Sequence, residues 1–184
     1  FIASQISNKA NNIISIHSVA GGNGPFRKDI RALWDWGSHD IAMSIDIMGN
    51  TPEIVEASYL YQSNETNKNG EIILTKLLFN QQRIATLIFG NLMKSKIRIF
   101  DLKADNKIIR YQPLSKKQLV EISVSQNNFK LVSKKITSPL SAMELLINEF
   151  RDLIQKKVEN YYDLKLALKV TSVIESISSL LDKN

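Results

Sequence analysis

The sequence predicts an α+β fold, a large and predominantly antiparallel open sheet with helices packed on one face. Three observations carry this. Between residues 54 and 132, short runs rich in β-branched and aromatic residues alternate with polar turns. From residue 138 onward the apolar spacing changes from two to three and four. One apolar helix interrupts the strands early, and a helix, a set of strands and two closing helices make a layered architecture.

Taken in order, Asn12 to Val19 is the first strand, carried by Ile13, Ile14, Ile16 and Val19. Period two sets Ser15, His17 and Val19 on one side and Ile14, Ile16 and Ser18 on the other. His17 is thereby a candidate to touch a ligand at the strand's end, although a strand histidine is more often a surface group. The glycine-rich stretch Gly21 to Lys28 reads as a loop, with Arg27 its best candidate for binding. A helix opens at Asp35 and ends near Gly49-Asn50, where glycine supplies the usual stop.

Strands follow over Ile54 to Tyr61, Glu71 to Phe79, Arg83 to Phe89, Ser95 to Leu102, Lys107 to Tyr111 and Leu119 to Val124, with a weaker one at Lys130 to Val132. The connections are the polar hairpin loop Ser63 to Gly70, Asn80-Gln81-Gln82 and Ala104-Asp105-Asn106; such short turns predict antiparallel pairing. Ser138 is placed to cap a helix with Pro139 in its first position, and Ser141 with Glu144 forms an alternative capping box. Leu140, Met143, Ile147, Phe150 and Ile154 make one apolar stripe. Leu166, Val170, Val173, Ile174, Ile177 and Leu181 make a second, on a helix starting at Asp163, and both stripes read as core.

Composition sets the outer bounds. With 184 residues, 43% of them hydrophobic, the chain holds one domain's worth of core. No apolar run approaches the ~20 residues needed to span a bilayer and no secretory pattern opens the sequence, so the cytoplasm is the default and no membrane partner is expected. The absence of Cys and the presence of only two His leave no spacing signature for a metal. A net charge of +6 raises nucleic acid as a partner. The basic residues alternate with apolar ones, as in Lys96-Ile97-Arg98-Ile99, and lack interleaved aromatics, so a solvated sheet face is the better reading. A basic mouth would still favour anionic substrates such as nucleotide sugars.

The densest chemistry lies in Leu33-Trp34-Asp35-Trp36-Gly37-Ser38-His39-Asp40. Asp35 and His39 stand four apart, a spacing that brings a carboxylate and an imidazole to one face of an α-helix. Such a pair moves protons near neutral pH. The plainer alternative is a helix cap and a core histidine.

Together with Gly24-Pro25-Phe26-Arg27 and Ile41 to Gly49, this phrase resembles one segment of the glucose-fructose oxidoreductase, inositol dehydrogenase and MocA (Gfo/Idh/MocA) group of NAD(P)-dependent sugar oxidoreductases. Asp35, Gly37 and His39 stand in that family's Asp-x-Gly-x-His signature. The closing segments, 138–150 and Asp163-Leu164 through Ile177 with its Asp-Leu-x-x-Ala-Leu-x-Val phrase, look like the family's final helix pair. The Gly-x-Gly-x-x-Gly turn of a Rossmann domain and the family's Glu-Lys-Pro motif, source of a catalytic lysine, do not occur, and Phe1 fits a chain that begins partway through a longer protein.

The resemblance therefore implies residues 1–184 as the substrate-binding and oligomerisation domain, with a dihydrodipicolinate-reductase-like C-terminal fold. A Rossmann domain, holding NAD or NADP, is expected upstream. It implies hydride transfer to or from a sugar, nucleotide sugar or cyclitol, with His39 as base, Asp35 orienting it, and Arg27, Trp34 and His17 as substrate contacts. Apolar residues on both sides of Ile72-Ile73-Leu74 and Thr86-Leu87-Ile88-Phe89 imply a homo-oligomer through the open sheet. A ligand-binding or assembly module of the same fold, without catalysis, is the alternative.

Overall fold

The computed structural model describes residues 13–27, 29–63, 70–104, 107–116, 118–125, 128–134, 142–156 and 161–183. Its strands are β1 (Ile13–Asn23), β2 (Ile54–Gln62), β3 (Glu71–Leu78), β4 (Ile84–Gly90), β5 (Leu92–Ala104), β6 (Lys107–Tyr111), β7 (Leu119–Ser125) and β8 (Asn128–Lys134). They form one eight-stranded sheet in the order β2-β3-β4-β1-β5-β6-β7-β8. A π-helical turn (Leu33–Gly37) runs directly into α1 (Ser38–Met48), and α2 (Ala142–Lys156) and α3 (Tyr161–Leu181) close the chain. The α+β class and the open, mostly antiparallel sheet stand as the sequence predicts.

One pairing departs from the expected pattern. β4 and β5 are separated by Asn91 alone, yet they do not pair, because β1 lies between them, parallel to β4 and antiparallel to β5. Short turns dictate antiparallel neighbours only where no earlier strand enters the gap. The same insertion explains why Gly21 and Gly22, expected in a loop, belong to β1. Gly21 pairs with Gly90 on one side and Ile97 on the other, and a Cβ on Gly21 would stand 2.3 Å from the Gly90 carbonyl oxygen. Glycine here permits two backbones to approach.

The core lies between the sheet and two helices. Ile16 and Ala20 of β1, Ile73 and Leu77 of β3, Ala85, Leu87 and Phe89 of β4, and Phe100 and Leu102 of β5 are buried on one face. Ile41, Ile45 and Met48 of α1 meet them, and Val173, Ile174, Ile177 and Leu181 of α3 complete the layer, with Leu166 and Val170 packed at its edge. α1 ends as expected, with Gly49 at φ 79° and its N–H bonded to the Ile45 carbonyl. On the sheet's other face Ile72, Leu74, Ile84, Thr86 and Ile88 are half-buried.

The α2 stripe corrects an expectation. Met143, Ile147, Phe150 and Ile154, read as core, expose 58 to 64% of their surface. Helical periodicity shows that a face is apolar; it does not say which surface covers it, and no described strand or helix lies under this one. The capping readings at Ser138, Pro139 and Ser141, with Leu140, residues 64–69 of the hairpin loop, and Asp105-Asn106 lie outside the described residues. Among the described residues no helix is long and apolar enough to cross a membrane.

Candidate functional site

The Asp-x-Gly-x-His segment begins on a cap supplied from across the sheet. Glu71, at the start of β3 and buried, accepts the Ala32 N–H at 2.7 Å and also the Leu33 N–H. Its carboxylate thus satisfies donors that the start of a helical turn leaves orphaned. Burial raises the Glu71 carboxyl above its ordinary value, against the opposing pull of those N–H groups and of Arg31. The side-chain carbonyl of Asn91, also buried, accepts the Glu71 N–H at 2.8 Å while its amide donates to the Pro25 carbonyl at 3.3 Å. The Gly24 N–H bonds the Asn91 carbonyl at 2.8 Å, so Glu71 and Asn91 tie the Arg27 loop to the π turn.

A raised carboxylate has a defined consequence for stability. The folded state holds a proton on Glu71 at pH values where the unfolded chain has released it, so stability is greatest below the unfolded value and is lost as pH rises through the folded one. Glu71→Gln removes that dependence. The difference in melting temperature, variant minus parent, is expected to grow as pH rises from the ordinary carboxylate range toward neutrality. A constant difference would show that Glu71 titrates alike in both states.

Gly37 is needed for packing. A Cβ there would lie 2.8 Å from two ring carbons of Phe89, which is fully buried beneath the turn. Gly37→Ala should therefore cost about 1–3 kcal/mol by overpacking, read as a lowered denaturant midpoint. Phe89→Leu in the same chain should recover part of the loss.

Above this support lies an open hollow of about 360 Å³. Asp35 and His39 both line it, together with Arg27 from the loop and Lys96 and Arg98 from β5. Pro25, Trp36 and Leu114 form its apolar walls. His39 is exposed and open to solvent. Asp35 pairs with Arg27 at 3.6 Å; among the described residues no hydrogen bond or ion pair joins it to His39. The expected i, i+4 contact assumed 3.6 residues per turn, whereas the segment passes from a π turn into an α-helix at Ser38, which shifts the angular offset. π turns of this kind are frequent at functional sites.

Two candidates are placed elsewhere. His17 sits on the far face of the sheet: Ile16 and Ser18 point toward α1, and His17 instead meets the Ser15 hydroxyl at 3.4 Å. Trp34 is 44% exposed and does not line the hollow; Trp36 does.

The sequence reading missed the cluster beneath His39. Asp40, almost wholly buried, accepts a short hydrogen bond from the Ser18 hydroxyl and pairs with Arg98 at 3.0 Å. Burial raises its carboxyl, and Ser18 and Arg98 act against that shift. Lys96 and Arg98, read as one solvated face, instead border the hollow. No spacing signal could reveal this, because Asp40 and Arg98 are 58 residues apart.

Among the described residues no cluster could hold a metal ion. The chain's glycines do not fit a dinucleotide site either. Gly21 to Asn23 are committed to the β1 ladder, and the next helical turn among the described residues begins only at Leu33, not directly on the glycines as a pyrophosphate site requires.

No family model and no curated protein matches the sequence. Solved structures do match the fold. An aldose-aldose oxidoreductase from Caulobacter crescentus superposes with a TM-score of 0.79 at 15% identity, over 98% of this chain and 57% of that one. A UDP-N-acetylglucosamine 3-dehydrogenase from Acidithiobacillus ferrooxidans gives 0.78 at 13% identity over 98% and 57%. An NAD binding oxidoreductase from Klebsiella pneumoniae gives 0.76 at 13% identity over 99% and 61%. The chain thus spans about three fifths of the length of the structures it matches. At 13 to 15% identity the likeness is one of fold, which this chain shares with part of each of these oxidoreductases.

Proposed function

We propose that residues 1–184 are the substrate-binding and oligomerisation domain of a Gfo/Idh/MocA oxidoreductase, which moves a hydride between NAD(P) and a hydroxyl or carbonyl carbon of a sugar, nucleotide sugar or cyclitol. The observation that carries the reading is His39, open to solvent in a sugar-sized hollow on the Asp-x-Gly-x-His segment. In this reading the cofactor is held mainly by a separate Rossmann domain, where its nicotinamide takes or gives the hydride.

This chain's part is proton movement and positioning. Oxidation of a carbinol carbon requires that the hydroxyl proton leave, and a ring nitrogen of His39 accepts it; reduction runs the same transfer backward. Asp35, fixed through Arg27, offers the substrate an acceptor and Arg27 a donor fork. Trp36 supplies the apolar wall for a pyranose face, the role expected of Trp34. The test is to supply the full-length protein with NAD or NADP and a panel of sugars and cyclitols while following nicotinamide absorbance. Turnover with none of them would favour a non-catalytic binding module.

The half-buried apolar face of β3 and β4 supports assembly of identical subunits through the open sheet. Ile88→Lys, placed in that face, should convert the oligomer to monomer in sedimentation. An unchanged sedimentation coefficient would exclude the face.

A further inference from the structure

We infer that the hollow contains an oxyanion subsite, formed by Arg98 and Lys96, for a substrate that carries a carboxylate or phosphoryl group. The inference rests on the hollow being the sugar site and narrows the substrate class. Arg98 is a built feature. It is three-quarters buried, and its ion pair to Asp40 is braced in turn by the Ser18 hydroxyl. That pair uses one of the guanidinium's five N–H donors, so the fork is held in place with donors to spare.

Lys96 stands two residues earlier on β5, on the same face, and among the described residues has no acidic partner. The remaining lining charges are Arg27 and Asp35, which pair with each other. The hollow therefore offers more positive than negative charge to a ligand, concentrated on the β5 side, while His39 lies at the same opening. Trp36, Pro25 and Leu114 form the apolar walls, and Arg98 is largely withdrawn from solvent, which strengthens its attraction for an anion, while Lys96 is exposed at the opening. A neutral sugar would leave the Lys96 ammonium and the Arg98 donors not used by Asp40 unanswered; an oxyanion on the sugar would engage both.

The test uses this chain and NMR, with the Trp36 indole signal as reporter and the Trp34 signal as internal reference. It is titrated at low ionic strength with glucuronate, glucose 1-phosphate, inorganic phosphate and glucose. Saturable shifts of Trp36 with glucuronate or a phosphoryl compound, absent with glucose over the same range, are expected. A response to glucuronate alone assigns a carboxylate, and one to the phosphoryl compounds alone assigns a phosphate. Lys96→Gln should weaken that binding about fivefold. Arg98→Lys, which keeps the charge over Asp40 but loses the fork, should weaken it as well. No saturable shift with any anion, equal shifts with glucose, or full affinity in both variants overturns the subsite. In the full-length protein, equal kcat/KM on neutral and anionic sugars would overturn it while leaving the oxidoreductase reading intact. Anion binding without turnover of any sugar would do the reverse.

Discussion

Turnover is expected to fall by about 10²- to 10⁴-fold when His39 is replaced by alanine in the full-length protein, with cofactor affinity nearly unchanged. The size follows from the role proposed for His39, a positioned acid-base group whose removal leaves the scaffold alone. His39 is exposed at the mouth of the hollow and packs into no core, so the substitution creates no cavity. Steady-state kinetics separates the possibilities. Loss of cofactor binding with turnover spared would remove His39 from proton transfer, whereas lowered kcat with an unchanged melting temperature supports it. Asp35→Asn should have a smaller effect on the same assay, because Asp35 is engaged by Arg27 and, among the described residues, makes no hydrogen bond or ion pair with the imidazole.

The largest effect on stability should come from Phe89→Ala. Phe89 is fully buried in β4, paired across the ladders with Ile73 and Ala20, and its ring carries Gly37 of the π turn. Truncating such a ring loses its burial and leaves a cavity, about 3–5 kcal/mol. For a chain of this size the thermal midpoint should drop by about 10 °C. The site should loosen with it, since the floor of the turn that holds Asp35 and leads into His39 disappears. Lys76→Ala, an exposed position on β3 whose ion pair with Glu56 spans 3.8 Å, should change stability by less than about 0.5 kcal/mol and serves as control. Equal losses in the two variants would contradict the placement of the core.

The contrast between what residues 54–132 and residues 35–40 reveal has a physical basis. Strands β2 to β8 were legible because each is a local pattern bounded by local turns, and the stop at Gly49 was legible because a left-handed cap favours glycine. The place of β1 was not legible, since it is fixed by two ladders formed with residues about 70 to 90 positions away. The candidate site divides in the same way. Arg27, Asp35 and His39 come together as their short segment suggests. His17 was misplaced because alternation identifies two sides of a strand without saying which side the helix covers. Trp36 lines the hollow in place of Trp34 because two indoles flanking Asp35 are chemically alike, and only the folded turn shows which of them faces the opening. Asp40, Ser18, Arg98, Glu71 and Asn91 carry no local signal, as each acts on a partner distant in sequence.

The position of β1 also governs how the molecule comes to exist. The two meanders, β2-β3-β4 and β5-β6-β7-β8, share no hydrogen-bonded edge except through this first strand, so β1 is the keystone of the sheet. As the ribosome delivers the chain, β1 emerges before β4 and β5 and lacks its second neighbour until residue 104 has been made. Its apolar edge must wait through that interval, and pairing over such sequence separation makes for slow folding. Chaperone demand during synthesis should therefore be concentrated on the first strand, the same one that later places Ser18 beneath the hollow.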